Sequence, residues 1–456
     1  MSTERSTLPK PIRKYLEQHA EPEASCAQGI AEQAGRAYAG VAVIPAYGED
    51  ERLRATLATV PRCNAGRVLI VLVINERDDS PGWAVSANRD FLSWLRSGSD
   101  PHTGAVIPLD SGVAFLKRKD FDIVVVDRTT PGNRLPSRQG VGLARKIGAD
   151  LALALGAIGA CHSPWIHCTD ADVLLPVDYF DRLEADADRT RNRTKSKNQS
   201  ARLYDFRHDV NDSIDDGRTI REYELFLRYY VLGLRSAGSP YAFHTIGSTL
   251  AIDANAYAAV RGFPKREAAE DFHLLAKLAK VGNVLPLRGD PIVLSGRQSE
   301  RVPFGTGRAM IEGLRRETRG ETFSVYDPRC FEWLRVWLET LAKTAQAPGR
   351  PIEEHLDDSA GGTDVDPAQL RELADRLGAL AATRNLLQKK GDIPRSLNES
   401  FDALATLKFV HAVRDAVHPD IPLPLALARA PFLDLPEGAN LEEQLAHLTA
   451  VEKAAN

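Results

Sequence analysis

Apolar residues cluster into short, nearly continuous runs over the first part of the chain. Four of these runs are predicted strands, at residues 41–44, 67–74, 121–127 and 165–168. Segments with apolar residues at helical spacing lie between them, at 49–60 and 139–154. Apolar strands that alternate with helices are typical of a parallel sheet covered on both faces. The pattern therefore predicts an α/β domain with a mostly parallel sheet.

The pattern before and after these strands is less regular. Residues 1–40 are expected to be a lead-in with a short helical stretch. Residues 187–217 are polar, with basic residues first and acidic residues after, which predicts a mobile insertion such as a lid or surface loop. Helices are predicted at 221–234 and 268–281, and the domain at 41–325.

The last part of the chain, residues 326–456, has the pattern of a helical module. Residues 345–367 have linker composition. Asp366 and Pro367 then suit the cap and first turn of a helix. Apolar side chains recur at helical spacing beyond them, but no catalytic cluster or internal repeat is evident.

Composition and charge exclude several classes of protein. The 456 residues include 58 basic and 62 acidic side chains, a formal charge of −4, so a general nucleic-acid binder is not expected. The five cysteines are widely spaced and show no zinc-ligand pairing. The most apolar stretch, 151–160, is about half the ~20 residues that a membrane span needs. A soluble, cytoplasmic protein without a transmembrane segment or secretion signal is therefore expected.

Polar and mostly acidic residues follow the predicted strands. Ligands of parallel sheets bind beyond the carboxyl ends of the strands, so these residues are candidates for a binding site. Asp170 and Asp172 stand two positions apart directly after the fourth strand. Paired carboxylates of this kind can share Mg²⁺ or Mn²⁺, which in turn binds the diphosphate of a nucleotide.

In their order along the chain, these motifs resemble a family-2 glycosyltransferase. The segments that carry the resemblance are residues 41–49, the strand end at Asn75, and residues 142–148, 169–172, 261–263 and 270–271. The family usually has Asn where this chain has Gly48. The resemblance covers roughly residues 41–310 and implies the Rossmann-like GT-A fold of nucleotide-diphospho-sugar transferases.

The resemblance also implies roles for individual residues. The nucleotide pocket would be lined by Pro45, Ala46, Tyr47 and Glu49. The base and ribose would lie near Asn75 and either Asp78 or Asp79, and the nucleotide or pyrophosphate near Arg145. Asp170 would bind ribose or metal, and Asp172 would be the direct metal ligand. Asp271 would be the catalytic base of an inverting reaction, with Glu270 as the other catalytic candidate.

Several of these features have structural alternatives. Pro45 and Gly48 could only shape a turn, and Arg145 could be a solvated charge on a helix. Glu270 and Asp271 open a predicted helix, where acidic residues are favoured by the helix dipole. Arg297 and Arg301 lie in an arginine- and glycine-containing segment that could contact the donor diphosphate or an acidic acceptor, or be a solvated loop. His244 is either a further metal ligand or a hydrogen-bonded core histidine.

The sequence thus predicts a metal-dependent glycosyltransferase that moves one sugar from a nucleotide-diphosphate donor to an unknown acceptor. An anionic acceptor and peripheral membrane contact are compatible with the basic residues at 189–197. Two alternatives stay open at this point. One is a nucleotidyltransferase of related fold, and the other is a non-catalytic sugar-nucleotide-binding or scaffold protein.

Overall fold

The structure, a computed structural model, describes the following residues: 8–49, 51–97, 103–110, 112–185, 199–211, 215, 217–301, 305–388 and 392–454. The chain divides into two compact units. The first contains residues 1–212 and 245–308, and the second contains residues 213–244 and 309–456. Each unit is thus built from two separate stretches of the chain.

The first unit is built on a nine-stranded sheet. The strands are β1 (Gly40–Ala46), β2 (Val68–Asn75), β3 (Thr103–Pro108), β4 (Val113–Arg118), β5 (Asp122–Arg128), β6 (Trp165–Cys168), β7 (Gln199–Asp209), β8 (Leu250–Asp253) and β9 (Asn283–Ser295), in the spatial order β3-β4-β5-β2-β1-β6-β8-β7-β9. The four central strands, β5, β2, β1 and β6, are parallel. Antiparallel pairings flank them on both sides, and β7 and β9 pair in parallel.

Helices of the first unit pack on this sheet. They are α1 (Lys10–Gln18), α2 (Ala27–Ala34), α3 (Glu51–Ala58), α4 (Gly82–Arg96), α5 (Gly140–Ala157), α7 (Ala254–Ala259) and α8 (Glu270–Val281), with short 3₁₀ helices at Pro22–Cys26 and Gly247–Thr249. Every residue of β1 and β2 is buried, as expected for strands covered on both faces. The predicted α/β fold class, with a C-terminal helical region, is confirmed.

Two segments of the first unit differ from the sequence prediction. Within the predicted insertion at 187–217, residues 199–209 form strand β7 and are mostly buried, whereas residues 186–198 lie outside the described residues. Apolar and polar residues alternate in β7, a strand pattern that the surrounding charges obscure. The predicted lead-in also packs into the unit, since the buried Tyr15 of α1 donates a hydrogen bond to Asp150 Oδ1 of α5 at 2.6 Å.

The second unit is helical. Its helices are α6 (Arg218–Ser236), α10 (Arg329–Gln346), α11 (Ile352–Ala360), α12 (Pro367–Arg376), α13 (Ala379–Leu387), α14 (Ile393–Ser400), α15 (Ala403–Ala416), α16 (Leu423–Arg429) and α17 (Leu441–Ala454); α9 (Thr306–Thr318) runs across residue 308. A two-residue strand, β10 (Ser324–Val325), pairs with β11 (Ile421–Pro422). Phe331, Trp337 and Phe409 are among the fully buried residues of its core.

The predicted linker at 345–367 is wrong in its middle. Residues 352–360 form helix α11, which packs on α10 and buries Ile352, Leu356 and Ala360 at four-residue spacing. The glycines and prolines that suggested a linker lie at its two ends. The predicted start of the next helix is confirmed, since the Asp366 side chain accepts hydrogen bonds from the backbone nitrogens of Ala368 and Gln369. Within the described residues, none of the helices combines the length and apolarity needed to cross a bilayer.

Candidate active site

The carboxyl ends of β1 and β2 lie side by side and are tied together by side-chain amides. Pro45 and Ala46 are buried in β1, and Ala46 pairs with Ile74 of β2. The Asn75 side chain donates to the backbone oxygen of Ala46 at 2.9 Å. Asn88 of α4 accepts from the backbone nitrogen of Gly48 and donates to the backbone oxygen of Asn75, both at 2.9 Å. These bonds fix the turn that carries Tyr47.

Gly48 is required by its surroundings. Its φ of +60° is left-handed, and a Cβ placed on it would come within 2.6 Å of Cζ3 of Trp83. Asn also adopts this φ, but its Cβ would meet the same contact with Trp83. Trp83 is half exposed and meets the ring of Tyr47 edge-on at 6.1 Å. The two rings form an aromatic surface next to the strand ends.

The acidic residue buried directly after β2 is Glu76, which was not among the predicted site residues. Its Oε2 lies 3.0 Å from Nη2 of Arg134, and burial raises the pKa of its carboxyl. The predicted candidates Asp78 and Asp79 are instead exposed, and Asp79 pairs with Arg77 at 3.1 Å. The signal for Glu76 was its place directly after a continuously buried strand.

Arg145 links two of the predicted motifs. It lies buried on α5, where its Nε donates to Glu270 Oε1 at 2.8 Å and its Nη2 donates to Asp170 Oδ1 at 2.5 Å. A Cβ on Gly247 would come within 2.6 Å of the guanidinium, so the glycine makes room for this side chain. The acidic strand end after β6 and the start of α8 therefore meet at one arginine.

Arg145 can take this place because α5 approaches its neighbours closely. A Cβ on Gly142 would lie within 2.5 Å of the backbone oxygen of Pro264, and one on Gly148 within 2.3 Å of Val43 Cγ1 of β1. The backbone nitrogen of Gly142 donates to the backbone oxygen of Arg266 at 3.0 Å. The glycines of the 142–148 motif thus serve packing, and the arginine between them reaches the site.

Asp172 and Glu49 share a second arginine. Nη2 of Arg297 lies 2.7 Å from Asp172 Oδ2 and 2.7 Å from Glu49 Oε1. Arg301 lies 3.1 Å from the same Glu49 oxygen and donates to the backbone oxygen of Gly48 at 2.6 Å. Thr56 of α3 secures the aspartate turn, because its hydroxyl donates to the backbone oxygens of Ala171 and Val173.

The two buried carboxylates repel each other. Burial and the neighbouring charge of Asp172 raise the pKa of Glu49 to about 7, although Arg297 and Arg301 oppose the shift. Burial also raises the pKa of Asp172. Arg297 and Arg301 are therefore part of an ion-pair cluster with Glu49 and Asp172 rather than solvated charges.

Glu270 and Asp271 open helix α8 as predicted. Ala269, just before them, has a left-handed φ of +58°, which sets the direction in which the helix starts. Glu270 is buried against Arg145, whereas Asp271 is partly accessible and accepts a hydrogen bond from the backbone nitrogen of Phe272 at 2.7 Å. Burial and the adjacent charge of Glu270 raise the pKa of Asp271 to about 7, against the opposing effect of Arg145.

The carboxylates of this site are the ligand type that Mg²⁺ and Mn²⁺ prefer. Oε2 of Glu49 is buried and accepts no hydrogen bond from the described residues, so the donor set fits such a cation. In the part of the chain that the structure describes, however, no group of three His, Cys, Asp or Glu side chains is arranged as a metal site. His244 belongs to the second unit, where its Nε2 lies 2.8 Å from Glu452 Oε1, as the hydrogen-bonded alternative would have it.

Comparison with known proteins gives likenesses of low identity. No family model and no curated protein matches the chain. Among solved structures, S. aureus TarS 1–349 in complex with UDP-GlcNAc is similar at 11% identity and a TM-score of 0.36, covering 91% of this chain and 90% of that one. The mannosyltransferase PcManGT from Pyrobaculum calidifontis, in complex with GDP-Man and Mn²⁺, gives 16% identity, a TM-score of 0.35 and coverages of 87% and 92%. Because these TM-scores are low, the fold assignment rests on the sheet itself.

Proposed function

We propose that the first unit is a glycosyltransferase that moves one sugar from a nucleoside-diphosphate donor to an acceptor hydroxyl. The observation that carries the proposal is Arg145, which bridges Asp170 and Glu270. It joins a paired-carboxylate strand end, suited to a nucleotide, to a partly accessible carboxyl, Asp271, suited to taking a proton. A sheet with its ligand groups at the carboxyl ends of the strands is the usual setting for nucleotide binding.

The donor would lie across the ends of the central strands. Tyr47 and Trp83 offer an apolar surface for the base, and the buried polar groups of Asn75 and Glu76 offer hydrogen-bond partners to its edge. The arginines of the site, Arg145, Arg297 and Arg301, offer charge for a diphosphate. A divalent cation held by Asp172 and Asp170 would further stabilise negative charge on the departing diphosphate.

Asp271 would act as the general base. Its carboxylate would take the proton of the acceptor hydroxyl as the oxygen attacks the anomeric carbon and the bond to the diphosphate breaks. Glu270 would hold Arg145 and add to the negative charge beside the base. Attack from the side opposite the leaving group gives inversion at the anomeric carbon.

Ligand binding and product analysis together test this function. Nucleoside diphosphates and sugar nucleotides are screened by thermal shift, with and without Mn²⁺. A ligand that binds should stabilise the chain by ~2.7 kcal/mol at 100 times its dissociation constant. Incubation of the bound sugar nucleotide with acceptor mixtures should then release nucleoside diphosphate. Release of pyrophosphate in the presence of nucleoside triphosphate and sugar phosphate would instead show a nucleotidyltransferase, and binding without turnover would show a sensor.

A matched pair of variants shows whether the site is the one described. Arg145→Lys removes the two-sided contact with Asp170 and Glu270 while it keeps the charge, so donor affinity should fall by ~10-fold or more. Arg62→Lys changes an exposed arginine that pairs with Asp120 and should bind like the wild type. Equal affinity of both variants would contradict the proposed donor site.

A further inference from the structure

The ion pair between Arg297, Glu49 and Asp172 has an unusual form. One guanidinium nitrogen, Nη2, lies 2.7 Å from each of two carboxylates that come from different elements. The side chains are only 8% exposed at Glu49 and 18% exposed at Asp172 and Arg297. Glu49 has a second oxygen, Oε2, that is buried and has no hydrogen-bond partner in the part of the chain that the structure describes. Two converging carboxylates therefore share one cationic group, and Oε2 of Glu49 is available as a ligand.

A buried pair of carboxylates needs a positive partner, because desolvated like charges otherwise repel each other strongly. The partner here belongs to the protein itself. Carboxylate oxygens are also the ligands of Mg²⁺ and Mn²⁺, and such a cation would bind the unused oxygen of Glu49 as well. A guanidinium and a divalent cation cannot both occupy the space between the two groups.

Arg297 and Arg301 are held by different sets of partners. Arg301 is anchored by the backbone oxygen of Gly48 at 2.6 Å, and its guanidinium lies 5.5 Å from the centre of the Trp83 ring. Arg297 has Glu49 and Asp172 as its ion-pair partners, and it follows the last residue of β9 by two positions. A rotation of its side chain would free both carboxylates while Arg301 still contacts Glu49.

We propose that Arg297 and a divalent cation are alternative partners of Glu49 and Asp172. Arg297 fills the site when no cation is bound. When its guanidinium leaves, Glu49 becomes a metal ligand beside Asp172. The diphosphate of a donor supplies the anion that draws Arg297 away. The role of the donor diphosphate rests on the proposed function, whereas the competition between Arg297 and the cation does not. The exchange makes cation and diphosphate bind cooperatively.

Titration of Mn²⁺ alone tests the competition without any nucleotide. Free Mn²⁺ is measured by electron paramagnetic resonance as the ion is added to the whole chain. Arg297→Gln should bind Mn²⁺ at least 10-fold more tightly than the wild type. Arg54→Gln is the matched control. Arg54 pairs with Glu51 and lies over the Trp94 ring, so the change should leave Mn²⁺ binding unchanged.

Two double variants identify the ligands. Glu49→Gln combined with Arg297→Gln, and Asp172→Asn combined with Arg297→Gln, should each lose the gained affinity. Arg297→Gln that binds Mn²⁺ no better than the wild type would overturn the proposal. So would a gain that survives both double variants, since the ion would then be bound elsewhere. If Arg297→Gln does not fold, Arg297→Lys takes its place. Lysine keeps a single charge, so this variant should gain a smaller amount of Mn²⁺ affinity. No gain in Arg297→Lys would overturn the proposal in the same way.

Failure of the competition and failure of the proposed function give different results. If the chain binds nucleoside diphosphate but Arg297→Gln leaves Mn²⁺ affinity unchanged, the competition is wrong and the function stands. If Arg297→Gln gains Mn²⁺ affinity but no nucleoside diphosphate binds, the competition stands and the donor assignment is wrong. With both correct, uridine or guanosine diphosphate should raise Mn²⁺ affinity in the wild type and do so less in Arg297→Gln.

Discussion

At the scale of single residues, Asp271 sets the expected response to pH. Burial and the charge of Glu270 raise the pKa of Asp271 to about 7. A general base works when it is deprotonated, so kcat/KM should rise tenfold per pH unit below about 7 and level off above it. Glu270→Gln removes the neighbouring negative charge and should move the midpoint to lower pH. A midpoint that stays in place in Glu270→Gln would show that another group controls the rate.

Removal of the base should separate catalysis from binding. Asp271→Asn keeps the side-chain shape and the oxygen that accepts from Phe272, so donor binding should persist while transfer falls by ~100-fold or more. The raised pKa also has a consequence for stability. The folded chain favours the protonated carboxyl, so its stabilising contribution is present at low pH and lost as the pH rises through about 7.

Melting temperatures of Asp271→Asn therefore complete the test. The difference in melting temperature between the variant and the wild type should favour the variant more at pH 8 than at pH 5. If the variant melts at a lower temperature at both pH values, and its activity falls only as much as the amount of folded protein, Asp271 instead serves the start of helix α8.

Gly48 offers a second prediction at this scale. Gly48→Ala places a Cβ in a left-handed conformation, at a cost of ~1–2 kcal/mol, and against the Trp83 ring, which adds to the loss. Urea denaturation should show the combined loss in free energy of unfolding. Trp83→Ala in the same chain removes the clash and should restore part of that loss, while Trp83→Ala alone provides the reference for the cycle. Additive losses would mean that the contact costs nothing.

The sequence predicted most of the residues that the structure brings together, and the misses have physical reasons. Asp170, Asp172 and Arg145 follow strands or face the site along a helix, positions that periodicity can indicate. Asn88 was missed because a single polar residue on an amphipathic helix has no chemistry of its own until its neighbours are known. Its place on the buried face of α4, four residues after Ala84, was the available signal.

At the scale of elements, helix α11 gives the clearest test, because the sequence suggested a linker there. Leu356 is fully buried, so Leu356→Ala should lower the free energy of unfolding by ~2–5 kcal/mol. Leu425→Ala, at a leucine that is 38% exposed, is the matched control and should cost much less. Chemical denaturation of both variants gives the comparison. Equal small losses would mean that residues 352–360 do not pack as a helix.

Elements with continuous apolar composition were predicted almost to their ends. Strand β6 was predicted at 165–168 and is found at Trp165–Cys168, and α5 extends three residues beyond the predicted end at 154. Strands β3, β4, β7 and β9 were missed because they are amphipathic or lie among charged residues. β3 and β4 form a hairpin, and β4 pairs with the next strand, β5. The partners of β7, which are β8 and β9, are by contrast distant in sequence. Local periodicity does not record such partners.

At the scale of the whole molecule, the sequence predicted two regions that are each continuous in the chain, a domain at 41–325 and a helical module at 326–456. The second unit instead takes helix α6 from the middle of the chain, where Leu225, Tyr229 and Leu232 belong to its buried core. Arg228 of the same helix is buried against Glu224 and against Glu452 of α17. Long-range contacts of this kind leave no mark on local composition, so the position of the boundary at 325 stayed a prediction.

A chain that ends at residue 308 tests this assignment. It keeps helix α6 but removes α10 and α17, which pack on it, and with α17 it removes Glu452, an ion-pair partner of Arg228. With its apolar face exposed, helix α6 should make the truncated chain insoluble. Co-expression of residues 309–456 as a separate chain should restore solubility. A soluble, monomeric product without that second chain would contradict the assignment of α6 to the second unit.

The split of the second unit across the chain also bears on synthesis. Helix α6 ends at Ser236, and helix α10, which packs on it, begins at Arg329. At ~5–20 residues per second, the ribosome needs about 5–20 s to make the roughly 90 residues between them. During that interval α6 lacks the helices α10 and α17 that pack on it, while the residues that complete the sheet of the first unit emerge. The nascent chain should therefore depend on a holding chaperone, and slower translation beyond residue 236 should lower the yield of folded protein.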